Sequence, residues 1–325
     1  MNRRNFLTLL GGGSGLLVLP SPPACAQQKV WRIGIVVGGI RTPPYDGFLQ
    51  GLRERGYVSG RDYVTDWRFA DGRYNRIPGF AEEFVRLKAD VIFVGTAAAV
   101  EPVRQVTKSI PIVMGYSTDP VGAGFAASMA RPGGNVTGLA SSADDASPKQ
   151  LELLAAVVPG LARVGLLQNP DNSNYAPLLN GTQAAARQAG LAVVPVDASD
   201  PPQIEEAFAT FARERVQAVR VSADALYFRY PQQLAELALK HRLPTMFAQR
   251  EHVAAGGLMS YGESLFEFYR RAAFFVDRIF KGAKPGELPI EQPTRLQLVV
   301  NRKTADALGL KILQEVYALA DEVIE

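Results

Sequence analysis

Short apolar runs alternate with amphipathic stretches along the chain from residue 29 onward. In the first half, four runs of strand length predict buried strands, and helical spacing appears between them. The predicted strands are Lys29–Val37, Tyr63–Phe69, Val91–Val94 and Ile112–Met114. The predicted helices are Tyr45–Arg55 and Pro78–Lys88, the second with Phe80, Phe84, Val85 and Leu87 on its inner side. Strand and helix alternating at these spacings require right-handed parallel crossovers, so we expect a doubly wound parallel sheet.

The same alternation starts again in the second half, without a sequence repeat. Predicted helices span residues 148–158, 175–189, 204–215 and 231–241, and predicted strands span 163–167, 191–196, 218–221 and 245–247. A further strand is expected at 256–262, a long helix at 265–280 and a late strand at 295–300. Two βα halves of about 110 residues each predict an α/β protein with two doubly wound parallel-sheet lobes joined by a hinge.

The segment from residue 110 to 139 joins the two halves. Its apolar run ends in the polar residues 115–119, which is how an open α/β sheet presents a ligand loop, and a helix is expected to begin at Pro120. The chain is then predicted to cross between lobes near residues 140, 261 and 292. We therefore expect the first lobe to comprise residues 29–139 and 262–291, and the second to comprise 140–261 and 292–325.

Composition narrows the class of protein. Of the 325 residues, 47% are hydrophobic and 21% charged, which is typical of a globular chain with room for two cores. The 35 basic and 32 acidic side chains nearly balance, and no basic stripe is evident, so no nucleic-acid partner is expected. We expect a monomer.

The first 26 residues are predicted to be an export signal of the twin-arginine kind. Arg3 and Arg4 precede an apolar run to Leu19 that is too short to be a comfortable membrane span, and Ala24-Cys25-Ala26 then offers a cleavage site. Cleavage after Ala26 would place the protein in a bacterial periplasm, and the alternative is lipid attachment at Cys25. Since the single cysteine lies in this leader, no disulfide or cysteine-based metal site is expected in the mature chain. No metal or organic cofactor is implied.

Several phrases carry a resemblance to a known family. They include DGRY at residues 71–74, DPVG at 119–122, RPGGNVTG at 131–138 and AGGLMSYG at 255–262. On these phrases, over nearly all of residues 30–325, the chain resembles the ABC-transporter substrate-binding proteins that include tryptophan- and tyrosine-binding members. The resemblance implies the type I periplasmic-binding-protein fold. It also implies a Venus-flytrap receptor that closes on a small molecule and delivers it to a membrane permease.

Candidate site residues follow from the strand ends, because parallel sheets bind ligands beyond the carboxyl ends of their strands. In the first lobe these ends are residues 38–40, 95–97 and 116–119, and in the second they are 168–170 with 173–175, 222–224 and 249–251. The selected ligand-binding residues are Gly39, Thr96, Ala97, Ser117, Asp119, Asn169, Ser173, Asn174, Asp224 and Tyr261. No residue is assigned a catalytic role.

Each candidate has a structural alternative. The free N–H groups that follow Gly95 suit a ligand carboxylate, but Thr96 could simply cap its helix. Asp224 is the first candidate to pair with a ligand amine and Asp119 the second, although aspartate at a strand end is commonly a turn or cap residue. Asn169, with Ser173 and Asn174, could bond ligand oxygens or merely solvate a loop.

Aromatic residues near the strand ends are candidates for flat pocket walls, with core packing as the alternative. They are Tyr116, Tyr175, Tyr227, Phe228 and Tyr261. The expected ligand is an amino acid, aromatic ones included, and the alternative is another small carboxylate or amide.

Other function classes compete with a transport receptor. An enzyme is disfavoured because His241 and His252 are the only histidines and no HExxH, GxSxG or Walker phosphate loop is found, although a carboxylate-based enzyme stays an alternative. A transcription repressor would need a DNA-binding head where the export signal stands. A ligand-sensing receptor that is not coupled to transport stays open.

Overall fold

The structure, a computed structural model, describes residues 29–117, 119–141, 146–172 and 175–325. The predicted export signal over residues 1–26 lies outside the described residues, as do the candidate site residues Ser173 and Asn174.

The first sheet contains five parallel strands in the order β2-β1-β3-β4-β5. Their bounds are β1 Trp31–Val37, β2 Tyr63–Phe69, β3 Val91–Val94, β4 Ile112–Met114 and β5 Val136–Gly138. The neighbouring interior strands β3 and β4 are buried throughout, which explains their continuous apolar sequences. All connections within this sheet are therefore crossovers, as the sequence predicts.

Helices cover both faces of this sheet. One face packs against α1 (Pro44–Glu54) and α10 (Leu265–Phe280), and the other against α2 (Ile77–Arg86) and α3 (Val100–Val106). The helix α10 comes back to this lobe after the chain has built most of the second sheet. It packs tightly against α1, because Gly47 and Gly51 leave no Cβ between the two backbones. A chain segment from beyond residue 262 thus completes the first core.

The second sheet contains seven strands in the order β12-β11-β10-β9-β8-β6-β7. Their bounds are β6 Arg163–Gln168, β7 Ala192–Asp197, β8 Ala218–Val221, β9 Thr245–Phe247, β10 Met259–Gly262, β11 Gln297–Asn301 and β12 Glu322–Ile324. The strands from β7 to β10 are parallel and repeat the order of the first sheet, whereas β11 is antiparallel to β10. The two lobes therefore have the same doubly wound strand order, each around its own core.

The second sheet is also covered on both faces. Its helices are α4 Ser147–Val157, α5 Tyr175–Gln188, α6 Pro201–Arg213, α7 Ala225–Arg229, α8 Pro231–Lys240, α9 Arg250–Ala254, α11 Arg302–Leu308 and α12 Gln314–Leu319. Apolar residues of α4, α5, α11 and α12 form one core, and those of α6 and α8 form the other. The predicted α/β class with two doubly wound parallel-sheet lobes is confirmed.

Three crossing segments run side by side between the sheets. The Ala140 N–H donates to the Glu291 carbonyl at 2.8 Å, and the Glu291 N–H donates to the Gly138 carbonyl at 3.0 Å. The Ser141 hydroxyl donates to the buried Glu263 carboxylate, which follows β10 directly. The Gln292 amide donates to the Ser141 carbonyl at 3.0 Å. These contacts hold the predicted crossings near residues 140, 261 and 292 together, while the residue limits of the lobes stay a prediction.

Some local predictions are wrong. The segment from Pro120 to Gly124 forms turns rather than a helix, because the Asp119 carboxylate accepts the Gly122 N–H at 2.7 Å and Gly124 takes a φ of 71°. The predicted inner side of α2 included Val85 and Leu87, but these are 43% and 38% exposed. The strand β5 and the short elements α7, α9, α11, α12 and β12 lie outside the predicted set.

Candidate ligand-binding site between the lobes

The first-lobe edge of the site is built around Gly38, which follows β1. A Cβ at this position would lie 3.1 Å from the Thr96 Oγ1 and 3.2 Å from the Tyr74 hydroxyl, so glycine lets both hydroxyls approach the backbone. Burial raises the pKa of Tyr74, and the negative charge of Asp224 on the second lobe raises it further, whereas Thr96 and Arg229 lower it. The Asp224 carboxylate is therefore near enough to act on a first-lobe hydroxyl.

Thr96 does not cap the helical turn that follows it. The turn spans Ala97–Ala99, and the Thr96 side chain makes no capping hydrogen bond. Its buried Oγ1 also lacks a partner of ordinary hydrogen-bond geometry anywhere in the described residues, although it lies near the Tyr74 hydroxyl. The capping alternative is therefore not what the geometry shows, and the hydroxyl instead lies beside that of Tyr74.

The loop after β4 places its two candidates differently. Ser117 is buried, and its carbonyl accepts the Ser141 N–H at 2.7 Å beside the first crossing segment. Asp119 is exposed and holds the Gly122 N–H, so its carboxylate stabilises a local turn. Of these two, only Ser117 lies against the segments that join the lobes.

On the second lobe, Asp224 is the centre of a polar cluster beyond β6 and β8. Its Oδ1 accepts the Leu226 N–H at 2.7 Å and the Asn169 amide at 3.1 Å, and its Oδ2 accepts the Asn172 amide at 2.7 Å. Asp224 is thus the N-cap of α7, as the structural alternative suggested. A carboxylate offers about four acceptor positions, so the cap does not exhaust its capacity to bind a ligand cation.

Arg229, at the end of α7, crosses to the first lobe. Its Nη1 donates to the Asp71 carbonyl at 3.3 Å, and its side chain passes Gly39, where an added Cβ would lie 3.7 Å from the Arg229 Cδ. At Gly72 an added Cβ would come within 2.9 Å of the Arg229 Nη1. The candidate residue Gly39 therefore faces a side chain of the other lobe, and the two lobes touch at this edge.

Glu251 and Tyr269 approach each other at another point between the lobes. The Tyr269 hydroxyl donates to the Gly95 carbonyl at 2.7 Å. Burial raises the pKa of Tyr269 well above its ordinary value, and the charge of Glu251 on the second lobe contributes. The pKa of the Glu251 carboxyl is itself raised, chiefly by burial. This carboxyl is a second acidic group at the edge of the second sheet.

The candidate aromatic walls have different surroundings. Tyr227 is fully buried and donates to the Ala198 carbonyl at 3.0 Å, so it is a core residue. Tyr261 is half-buried, packs against the second core and receives the Gln150 amide on its carbonyl at 2.7 Å. Tyr116 is half-buried beside Phe268. Tyr227 is therefore not a wall candidate, whereas Tyr116, Tyr175, Phe228 and Tyr261 are all half-buried and stay candidates.

The described residues contain no group of three histidine, cysteine, aspartate or glutamate side chains arranged to hold a metal ion. Over the same residues, no helix combines the length and the apolar character needed to span a membrane.

The structure brings some of the predicted residues together and separates others. Asn169 and Asp224 contact each other, whereas Asp119 is engaged in its own turn. Residues that were not among the ten selected also lie at this edge: Tyr74, Gln168, Asn172, Arg229 and Glu251. Of these, Gln168 and Glu251 lie in the strand-end ranges 168–170 and 249–251 that the sequence analysis named. The DGRY phrase contains Tyr74, and the polar loop after β6 contains Asn172, so both had a signal. Arg229 had none, because the short helix that carries it lies outside the predicted elements.

Two sheets with one strand order, three crossing segments and polar groups facing each other define a two-lobed ligand-binding protein of the type I periplasmic-binding-protein fold. The family model described as ABC transporter substrate binding protein matches residues 33–324. The chain therefore belongs to this family of substrate-binding proteins, whose members are not enzymes.

Similar proteins are known by sequence and by structure. A tyrosine-binding protein of Clostridioides difficile (strain R20291) is 24% identical over 269 residues, which are 82% of this chain and 76% of that protein. An ABC domain from Streptococcus pneumoniae in complex with L-Trp has a TM-score of 0.83 at 24% identity, covering 91% of this chain and all of the other. A conserved domain protein of Vibrio cholerae has a TM-score of 0.82 at 26% identity over the same shares.

Proposed function

We propose that this protein is the periplasmic receptor of an ABC importer. It binds an amino acid, aromatic ones included, between its two lobes, closes on it and delivers it to a permease in the membrane. The chain is exported by its N-terminal signal, cleaved after Ala26, and acts as a monomer without nucleic acid or cofactor. Family membership supports the receptor role, and the tyrosine-binding relative and the L-Trp complex support the ligand class.

The observation that carries this proposal is the pairing of polar groups across the lobes. Thr96 and Tyr74 on one lobe face the cluster of Asp224, Asn169 and Asn172 on the other. A zwitterionic amino acid offers an ammonium group to the Asp224 carboxylate and a carboxylate to hydroxyl, amide and backbone N–H donors. One small molecule can thus contact both lobes at once.

Closure follows from contacts that exist only when the lobes are together. A ligand shifts an open–closed equilibrium only by its differential affinity for the two states, and groups from both lobes supply that difference. The three crossing segments near residues 140, 261 and 292 are short and lie side by side. A few residues in such segments can absorb the rotation of a hinge.

The first test is a thermal-shift screen of the mature chain, residues 27–325, against the common amino acids and small organic acids. A ligand at a hundred times its dissociation constant adds about 2.7 kcal/mol to the free energy of unfolding, which raises Tm by several degrees. N-acetyl-tryptophan and tryptophanamide, which lack the ammonium and the carboxylate respectively, should shift Tm less than tryptophan if both groups are bound.

Small-angle scattering then tests the closure. The radius of gyration should fall when the stabilising amino acid is added. A Tm rise without any compaction would refute closure and leave a rigid binding protein. A panel in which no amino acid shifts Tm, while another class of compound does, would refute the proposed ligand.

A further inference from the structure

Within the described residues, most of the buried side-chain polar atoms without hydrogen bonds lie at the carboxyl edges of the two sheets. Within the described residues, the side-chain atoms in this condition are Thr96 Oγ1, Arg163 Nε, Gln168 Nε2, Gln168 Oε1 and His252 Nδ1. Three of these five atoms belong to two residues at the carboxyl edges of the sheets, one in each lobe: Gln168 is the last residue of β6, and Thr96 lies two residues after β3. Native structures rarely leave buried polar atoms unsatisfied, so each such atom requires an explanation.

Gln168 is the clearest case. It is the last residue of β6, only 1% exposed, and both polar atoms of its amide lack a partner. Its backbone is already satisfied, since its carbonyl accepts the Ala198 N–H at 2.9 Å and it pairs with Asp197 in the ladder. The polar atoms of this side chain therefore do not stabilise the sheet, and a leucine would fill the same space.

A neighbouring hydroxyl can account for only one end of the Gln168 amide. The Tyr175 hydroxyl lies close to it and donates to the Asp197 carboxylate, with contacts of 3.0 and 3.2 Å. Toward Gln168 this hydroxyl can therefore only accept from Nε2, and it offers no donor to Oε1. Burial raises the pKa of Tyr175 and the bond to Asp197 raises it further, while the Gln168 amide lowers it. The amide is thus beside Tyr175 without a hydrogen bond of ordinary geometry to it.

Gln168 and Thr96 belong to one continuous edge across the lobes. Asn169, the residue after Gln168, donates to Asp224 at 3.1 Å. Asp224 acts on Tyr74 of the first lobe, and Tyr74 lies beside Thr96. Thr96 therefore adjoins the cluster of groups proposed above to meet the ligand, and Gln168 lies one residue before Asn169 at the end of the same strand.

We propose that the Gln168 amide and the Thr96 hydroxyl are ligand-recognition groups, one in each lobe, that bind the polar head group of the amino acid. This inference rests on the proposed function. An amide offers one carbonyl acceptor and two N–H donors, which together match an ammonium and a carboxylate on one carbon. The site would then select ligands carrying both a donor and an acceptor over purely anionic or purely apolar molecules.

The test uses Gln168→Leu and Thr96→Val in the mature chain, because each removes the polar atoms at nearly constant volume. The ligand is the amino acid that gives the largest Tm shift in the wild-type screen, and Kd is measured by calorimetry. We expect each variant to weaken binding at least about tenfold, while the Tm of the ligand-free chain stays equal or rises, since an unsatisfied buried group is removed.

Thr182→Val is the matched control for a buried hydroxyl that is satisfied. The Thr182 hydroxyl donates to the Leu178 carbonyl at 2.7 Å and accepts from Arg220 at 2.9 Å. This variant should lower Tm and leave Kd unchanged, which is the opposite pattern. A side-chain amide resonance assigned to Gln168 by its loss in Gln168→Leu should also shift when the ligand is added.

The outcomes separate the two proposals. A wild-type chain that binds no amino acid refutes the proposed function, and this inference with it. If the wild-type chain binds the amino acid and both variants bind it equally well, this inference alone is refuted, and ordered water is then the partner of the Gln168 amide. A variant that loses several degrees of Tm in the absence of ligand also refutes it, because the side chain would then be structural.

Discussion

The contact between α1 and α10 gives a prediction whose sign depends on geometry. A Cβ added at Gly51 would lie 2.2 Å from the Arg270 carbonyl oxygen and 2.8 Å from the Ala273 Cβ. At Gly47 it would lie 2.3 Å from the Phe266 carbonyl oxygen. Both obstacles at 2.2 and 2.3 Å are backbone atoms, so no side-chain rotation can make room. Gly51→Ala must therefore push the two helices apart.

Two effects of Gly51→Ala oppose each other. Alanine in a helix interior is favoured over glycine by about 1 kcal/mol, because it restricts the unfolded chain and has the better helix propensity. Overpacking a well-packed core costs about 1–3 kcal/mol. The overlap here is with backbone and exceeds half an ångström, so we expect the upper part of that range. The net result should be a loss of about 1–2 kcal/mol of unfolding free energy.

Gly181→Ala is the control for the propensity effect alone. Gly181 lies in the middle of α5, is exposed and would bring its Cβ within 4 Å of nothing. The same substitution there should add up to about 1 kcal/mol. Calorimetric melting of the mature chain should therefore show Gly51→Ala lowering Tm by about 2–6 °C and Gly181→Ala raising it by about 1–3 °C.

The opposite signs are the test of the reasoning. If Gly51→Ala left Tm unchanged or raised it, the close approach of the two backbones would be wrong. If Gly181→Ala lowered Tm as well, alanine propensity would be the wrong reference, and the Gly51 result would say nothing about packing.

Three further predictions concern the site and pH. Asp224→Asn keeps a cap for the Leu226 N–H and should lower the free energy of unfolding by less than about 1 kcal/mol, whereas Asp224→Ala should lower it by about 1–2 kcal/mol. Both variants should bind the amino acid at least about tenfold more weakly, as measured by calorimetry. Arg229→Ala removes the bond to the Asp71 carbonyl and should expand the ligand-free chain in scattering, with a change in Tm below about 2 °C. Burial lowers the pKa of His252 from 6.5 to about 4. Between these two pH values the unfolded chain binds a proton that the folded chain does not, so the free energy of unfolding falls as the pH is lowered. Urea titrations at pH 6.5 and pH 4 should show a loss of about 3 kcal/mol from this residue.

Controls separate these predictions from general damage. Arg302→Ala removes an exposed pair with Glu325 away from the facing edges and should leave the radius of gyration unchanged. His252→Asn should flatten the pH dependence between 6.5 and 4, and an unchanged slope would assign it to other groups. If Asp224→Asn and Asp224→Ala lost stability equally, the cap on the Leu226 N–H would contribute nothing measurable to stability.

The sequence predicts strands well where burial is continuous. The bounds of β3, β4, β8 and β9 match the predicted ones, because each is a short run that is buried throughout and lies between polar loops. The strand β5 was predicted only as a crossing, since Val136–Gly138 is three residues long and follows a Pro-Gly-Gly run. It is held by pairing with β4, which is a tertiary effect that no local pattern reports.

The polar cluster of the site shows where such prediction stops. The strand-end rule located Asp224 and Asn169 correctly at one edge of a sheet. It could not show that the Asp224 carboxylate is shared between two amides that lie 52 and 55 positions earlier in the chain. Nor could it show that Asp119, in an equally polar loop, would satisfy a turn four residues long. Whether the Asp224 or the Asp119 carboxylate stays available for a ligand depends on which hydrogen-bond donors the folded chain places beside each of them.

The energetics of closure favour recognition groups of the Gln168 kind over direct contacts between lobes. The Arg229 bond to the Asp71 carbonyl is exposed, and such a bond is worth about 1 kcal/mol. A ligand that moves the lobes from 1:99 to 99:1 must favour the closed state by about 5.5 kcal/mol. Polar atoms that stay buried and unpaired until a ligand binds can supply part of this difference, because their hydrogen bonds form only in the occupied state. Strong direct contacts would instead close the empty receptor and exclude the ligand.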